Sequence, residues 1–151
     1  MKNMLLCIVL LCSCFVSCHT HAKKTMAEKD GLDISLYFYP SELSSFPVYS
    51  INIRNDSMFV SQKDNYDSIS MLRLTHNQYS IVKSMASKLI FKYNWSDNWA
   101  NDAWGCTLKV DNQVYYKDNN YSLNRTPTEI KLLINYIISL SPIRIDLYGF
   151  S

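Results

Sequence analysis

Two periods of apolar residues divide the chain. From Asp33 to Tyr39, Ile34, Leu36 and Phe38 alternate with Ser35, Tyr37 and Tyr39, the period of a strand with one covered face. Pro40 and Pro47 bracket a Ser-rich loop. Tyr49, Ile51 and Ile53 then alternate with Ser50, Asn52 and Arg54, Asn55-Asp56-Ser57 is a turn signal, and Met58-Phe59-Val60 resumes extended structure. This order predicts a hairpin. After a polar loop over residues 61–68, Ile69-Ser70-Met71-Leu72 predicts a further short strand. Cys106, Leu108 and Val110 share one face of a later strand, opposite Thr107 and Lys109; Asp111-Asn112 supplies a turn and Val114-Tyr115-Tyr116 returns. At the end of the chain Ile143, Ile145 and Leu147 alternate with Arg144, Asp146 and Tyr148, which predicts a last strand with the first three inward.

Helical spacing enters twice. Thr75 and Gln78 stand three apart, as a capping box requires, and Leu74 and Tyr79 suit a hydrophobic staple around it. Val82, Met85, Ala86 and Leu89 continue at helical spacing, and the helix should fade near Phe91. The second helix is expected to be capped by Thr126, with Pro127 at its first position and Glu129 completing a capping box. Its stripe is Ile130, Leu133, Ile134, Ile137 and Ile138, and Pro142 ends it.

One-sided strands need one covered face, and the amphipathic helices supply the cover. The expected fold class is therefore α+β: a two-layer domain, a mainly antiparallel sheet covered on one face by two amphipathic helices. The order hairpin, capped helix, hairpin, capped helix is also that of a duplicated unit.

The chain begins differently. Met1-Lys2-Asn3 carries one positive charge, an apolar run extends from Met4 to Val16, and Phe15-Val16-Ser17-Cys18 precedes polar His19-Thr20-His21. The run suits a secretory signal and falls short of the ~20 residues a membrane-spanning helix needs. This segment resembles the bacterial lipoprotein signal family, in which a small residue precedes an obligatory cysteine that is lipidated and becomes the first residue of the mature chain. Ser17 and Cys18 fit, and Phe15 stands where Leu is usual. Cys14, after Leu11-Cys12-Ser13, is an alternative site that would leave an apolar stub. The resemblance implies lipidation at Cys18, a signal peptide over residues 1–17, a lipidated cysteine with a flexible tether over 18–31, and a single α+β domain over 32–151. The acyl chains would hold the protein to a membrane. His19 stands where Asp favours inner-membrane retention in the enteric family, and no acidic run follows Cys18, so the implied location is the outer membrane, facing the periplasm.

Charge and cysteine usage narrow the partners. The whole chain has a formal net charge of +2, and loss of Lys2 with the signal brings it nearer neutrality. A nucleic-acid partner needs a strong basic field, so none is expected. Lys23-Lys24 beside the anchor reads as part of a solvated tether. Of five cysteines, Cys7, Cys12, Cys14 and Cys18 belong to the signal region. Cys106 alone remains in the domain, which excludes an intramolecular disulfide once Cys18 is acylated, and a cysteine zinc site with it. Four Asn-x-Ser/Thr sequons, at Asn55, Asn94, Asn120 and Asn124, read as Asn-rich turns.

From Asp33 onward, Pro47-Val48-Tyr49-Ser50-Ile51 and the element order around it resemble an uncharacterised family of small bacterial envelope proteins. Members of that family often carry a Cys-x-x-x-Cys pair just before the proline; this chain has Leu43-Ser44-Ser45-Phe46 instead. The resemblance implies the fold and carries no activity.

The search for chemistry yields few candidates. Cys106 with His76 as base is the conceivable nucleophilic pair, yet the phase of Cys106 with Leu108 and Val110 makes it a core cysteine. His19 and His21 have no third ligand nearby and make an incomplete metal site. Asp97 and Asp102, with Asn98 and Asn101, lack the spacing of a calcium loop. No metal or cofactor is expected. The chain has three glycines, too few for a phosphate-cradling loop, and no Walker, GxSxG, HExxH or dinucleotide motif is present. All three tryptophans, Trp95, Trp99 and Trp104, lie beside Asp97 and Asp102. Aromatic faces next to polar groups suit a glycan or a protein partner; buried, the same rings would close the core beneath a loop. The leading expectation is a non-enzymatic envelope lipoprotein whose domain binds a protein or stabilises an assembly. The alternative is a glycan-binding module using the 95–104 segment.

Overall fold

The computed structural model describes residues 31–40, 47–63, 68–90 and 104–147. Its strands are β1 (Asp33–Pro40), β2 (Val48–Arg54), β3 (Ser57–Lys63), β4 (Ser68–Arg73), β5 (Trp104–Val110) and β6 (Gln113–Tyr121). Its helices are α1 (His76–Ala86), between β4 and β5, and α2 (Thr128–Leu140), after β6. The strands form one six-stranded sheet in the order β4-β3-β2-β1-β5-β6, and every neighbouring pair is antiparallel. The expected α+β architecture is thus present. The first strand in sequence lies inside the sheet, because β5 adds on the side of β1 away from β2.

The two-residue period sets the faces. Ile34, Leu36 and Phe38 of β1, Tyr49, Ile51 and Ile53 of β2, Met58 and Val60 of β3, and Cys106, Leu108 and Val110 of β5 are buried. Their registers place them opposite one another, as in Ile34↔Ile53 and Leu36↔Leu108, so they form one continuous apolar face. Val82 and Ala86 of α1 and Ile130, Leu133, Ile134 and Ile137 of α2 belong to the same core. Full burial of such side chains contributes roughly 1.5–3 kcal/mol each.

The turns follow from their residues. Asn55 opens the β2–β3 turn with φ 53°, and Asp111 and Asn112 close β5–β6 with φ 49° and 63°, the left-handed conformation that a two-residue hairpin turn favours and Asn and Asp tolerate. The Asp111 N–H donates to Asp33 O (2.7 Å) and Asp111 Oδ1 accepts from the Asp33 N–H (3.1 Å), tying that hairpin to the start of β1. The α1 cap forms as expected: Thr75 Oγ1 accepts from the Gln78 N–H (3.3 Å) and Gln78 Oε1 from the Thr75 N–H (2.8 Å).

Three expectations need correction. Thr126 does not cap α2. Pro127 holds the N-cap position with no side-chain cap bond, and Thr126 Oγ1 is turned inward, donating to Ser122 O (2.8 Å). No capping box with Glu129 forms. The residues Ile143, Ile145 and Leu147 pack against the core, but residues 141–147 join no strand ladder. The Asp146 N–H reaches Tyr49 Oη of β2 (3.5 Å). Among the described residues the halves are also unequal, with four strands before α1 and two between α1 and α2, so the described elements do not repeat one unit.

Candidate functional site

Residues Cys18, Trp95, Trp99, Asp97 and Asp102 lie outside the described residues, as do His19 and His21. Trp104 is described and stands at the start of β5, 3% exposed. Its ring stacks on Tyr49 at 6.1 Å between centroids and 29° between planes. Its register partners are Pro40 on one side and Tyr121 on the other. Trp104 therefore offers no free face to a sugar ring, which corrects its place in the proposed ligand platform: β5 alternation points it into the core.

Cys106, two residues along, shares that inward face and is completely buried. Desolvation, and secondarily the Asp118 carboxylate, push its thiol well above the usual range. Burial and a raised thiol both disfavour the thiolate that a nucleophile or metal ligand needs. His76 is exposed at the first position of α1. Around Cys106 the β5–β6 end of the core is polar. Asp118 is its register partner. The Tyr116 hydroxyl donates to Asp118 Oδ2 (3.2 Å) and lies 3.1 Å from Thr126 Oγ1. Asp118 Oδ1 accepts from the Asn120 N–H (2.8 Å). Burial also raises Tyr116 and Tyr121 above the usual phenol range. The bonds among Tyr116, Asp118, Asn120, Thr126 and Ser122 tie β6 to the connection that leads into α2. Among the described residues no group of three or more His, Cys, Asp or Glu comes together to hold a metal ion.

The other sheet face is open and divided. Its centre is small and polar: Ser35 Oγ donates to Asn52 Oδ1 (2.8 Å) and Asn52 Nδ2 to Ser50 Oγ (3.0 Å). Toward β5, Lys109 Nζ stands 5.8 Å from the centre of the Tyr37 ring. Toward β4 the face turns apolar. Leu72 pairs with Met58 on the inner side, so the two-residue period sends Ile69 and Met71 outward. They are 76% and 64% exposed, and Met71 pairs directly with Phe59 of β3. Sequence reasoning found this strand without assigning its faces. The signal was available: Ser68 and Ser70 share one parity with Leu72, which leaves Ile69 and Met71 together on the other.

No family model, curated protein or solved structure matches this chain.

Proposed function

We propose that the chain is a lipid-anchored envelope protein without enzymatic activity, whose domain binds another protein at the β4 margin of its sheet. The anchor rests on the Ser17-Cys18 signal, which would place the domain at the outer membrane facing the periplasm. The observation that carries the binding role is the exposed pair Ile69 and Met71 beside Phe59 on the end strand. Apolar side chains grouped at a sheet margin favour macromolecular contact over a small polar ligand. The burial of Cys106 weighs against nucleophilic chemistry, and that of Trp104 weighs against the glycan reading.

Two measurements test the two parts separately. The protein extracted from membranes should have the mass of residues 18–151 plus acyl groups, and Cys18→Ala should abolish that species; an unacylated wild-type mass removes the anchor. A photo-reactive residue at position 69 should join the protein to a polypeptide in intact cells. No adduct at position 69, or adducts forming no better than from a site on the β5–β6 turn, removes the binding role.

A further inference from the structure

We propose that β4 pairs with β4 of a second copy, antiparallel about a two-fold axis at Ser70, joining two six-stranded sheets edge to edge. This deepens the binding role proposed above and rests on it by naming the partner.

The two margins of the sheet are built differently. At β6 the ladder with β5 is broken by register shifts between Trp104/Cys106 and Leu108/Lys109, and the strand carries Lys117 and Asp118. Irregular pairing and charge are the devices that keep an edge from recruiting another strand. At β4 the ladder with β3 runs in unbroken register from Ser57↔Arg73 to Gln62↔Ser68. From Ser68 to Leu72 that strand has no charge, proline or glycine. Among the described residues no strand pairs with its other backbone edge, which is a template for a further strand.

The side chains select the occupant. A two-fold axis normal to the sheet keeps each residue on its own face, so a residue must meet one of equal parity. Centred on Ser70, the register opposes Ile69 with Met71 of the other copy, and Met71 with Ile69. Both exposed apolar residues are then matched by cross-strand apolar partners, and Phe59 flanks each pair from β3. On the inner face Ser70 meets its own copy and Ser68 meets Leu72. The charges agree with this register. Arg73 is neutralised within its own chain by Asp56, at 2.8 Å, and the two Arg73 side chains fall at opposite ends of the paired strands. No like charges meet along the seam.

The register is tested by Ser70→Cys in the full chain in membranes. Facing Cα atoms of an antiparallel pair lie about 4.5–5.5 Å apart, within the ~4.4–6.8 Å that a disulfide spans. Mild oxidation should therefore yield a covalent dimer from Ser70→Cys, against the wild-type chain as baseline for its native cysteines and Asn112→Cys as a control for random collision. In light scattering of the purified protein, the double variant Ile69→Lys/Met71→Lys should weaken dimerisation by about tenfold or more through loss of apolar area and added repulsion. Both side chains are exposed, so unchanged circular dichroism should certify the fold. A monomer at all concentrations, a dimer indifferent to the double variant, or equal cross-linking at 70 and 112 overturns the proposal. If position 69 joins a different polypeptide, self-pairing fails while the binding role stands; if it joins none, both fail.

Discussion

The ring of Tyr39 occupies the space that a side chain at Gly105 would need. A Cβ built on Gly105 would come within 1.9 Å of Tyr39 Cε2 and 2.3 Å of its Cζ. The two residues face each other in the β1–β5 ladder. Because position 105 has no side chain, the Tyr39 ring crosses β5 on the open face and its hydroxyl donates to Asn119 Oδ1 of β6 at 2.8 Å. One glycine thus lets one aromatic residue tie three strands together.

Gly105→Ala should therefore displace Tyr39 and destabilise the domain by about 1–3 kcal/mol, the usual cost of forcing extra volume into a packed site. Tyr39→Phe keeps the ring and removes the hydroxyl. It should cost about 1 kcal/mol, because buried Asn119 loses that donor. Thermal or urea unfolding of the two variants measures both, and a Gly105→Ala protein as stable as wild type would refute the close approach.

The two threonines expected to cap helices should behave differently. Thr75→Ala removes a real cap and should lower stability by about 1 kcal/mol. Glu129→Ala should change little, since α2 has no capping box. Thr126→Val should cost about 1–3 kcal/mol by another route: it strips a partner from buried Tyr116 and from Ser122 O while leaving the α2 terminus as it was. Urea midpoints for the three variants check the ranking.

This contrast marks what the sequence could say. Thr75 and Thr126 have the same local pattern, a threonine three residues before Gln or Glu. Only the tertiary setting, with a tyrosine hydroxyl buried beside it, turns one inward. Strand periodicity is legible because each buried residue reports its own face, as from Ile34 to Phe38 and from Cys106 to Val110. Pairing order is not, since nothing in β1 states that β5, far along the chain, will be its second neighbour. The site is less legible still. The tryptophans are large aromatic residues beside polar groups, yet Trp104 is core, and the exposed margin falls on a strand that sends Ile69 and Met71 outward while Leu72 packs inward.

Residues 143–147 illustrate the same limit and make a prediction. Their alternation reports one covered side and says nothing of a hydrogen-bonded neighbour. Without a ladder, the Arg144 and Ile145 amides should exchange with solvent much faster than that of Leu36, which lies between two strands. Ile143→Ser should still destabilise the domain, by about 1 kcal/mol, because Ile143 packs on the core. Hydrogen exchange and unfolding of that variant separate the two statements; protection at Arg144 equal to that at Leu36 would mean that the segment is a strand.

The buried polar end of the core predicts how the domain fails at high pH. Desolvation foremost, with Asp118 adding to it, raises Cys106 above an ordinary value of 9.0. Desolvation likewise raises Tyr116 and Tyr121 above 10.0. Between the ordinary and the folded values the folded state holds protons that the unfolded chain has released, so stability falls as pH rises. This contribution is whole below pH 9 and should be lost progressively above it, first through Cys106 and then through the two phenols. Cys106→Ala removes the earliest of these titrations, and its stability, whatever its value at pH 7, should stay flat to about one pH unit higher than that of wild type. Urea unfolding from pH 7 to 11 tests this. A decline beginning at the same pH in both proteins would show that Cys106 is not buried as a protonated thiol.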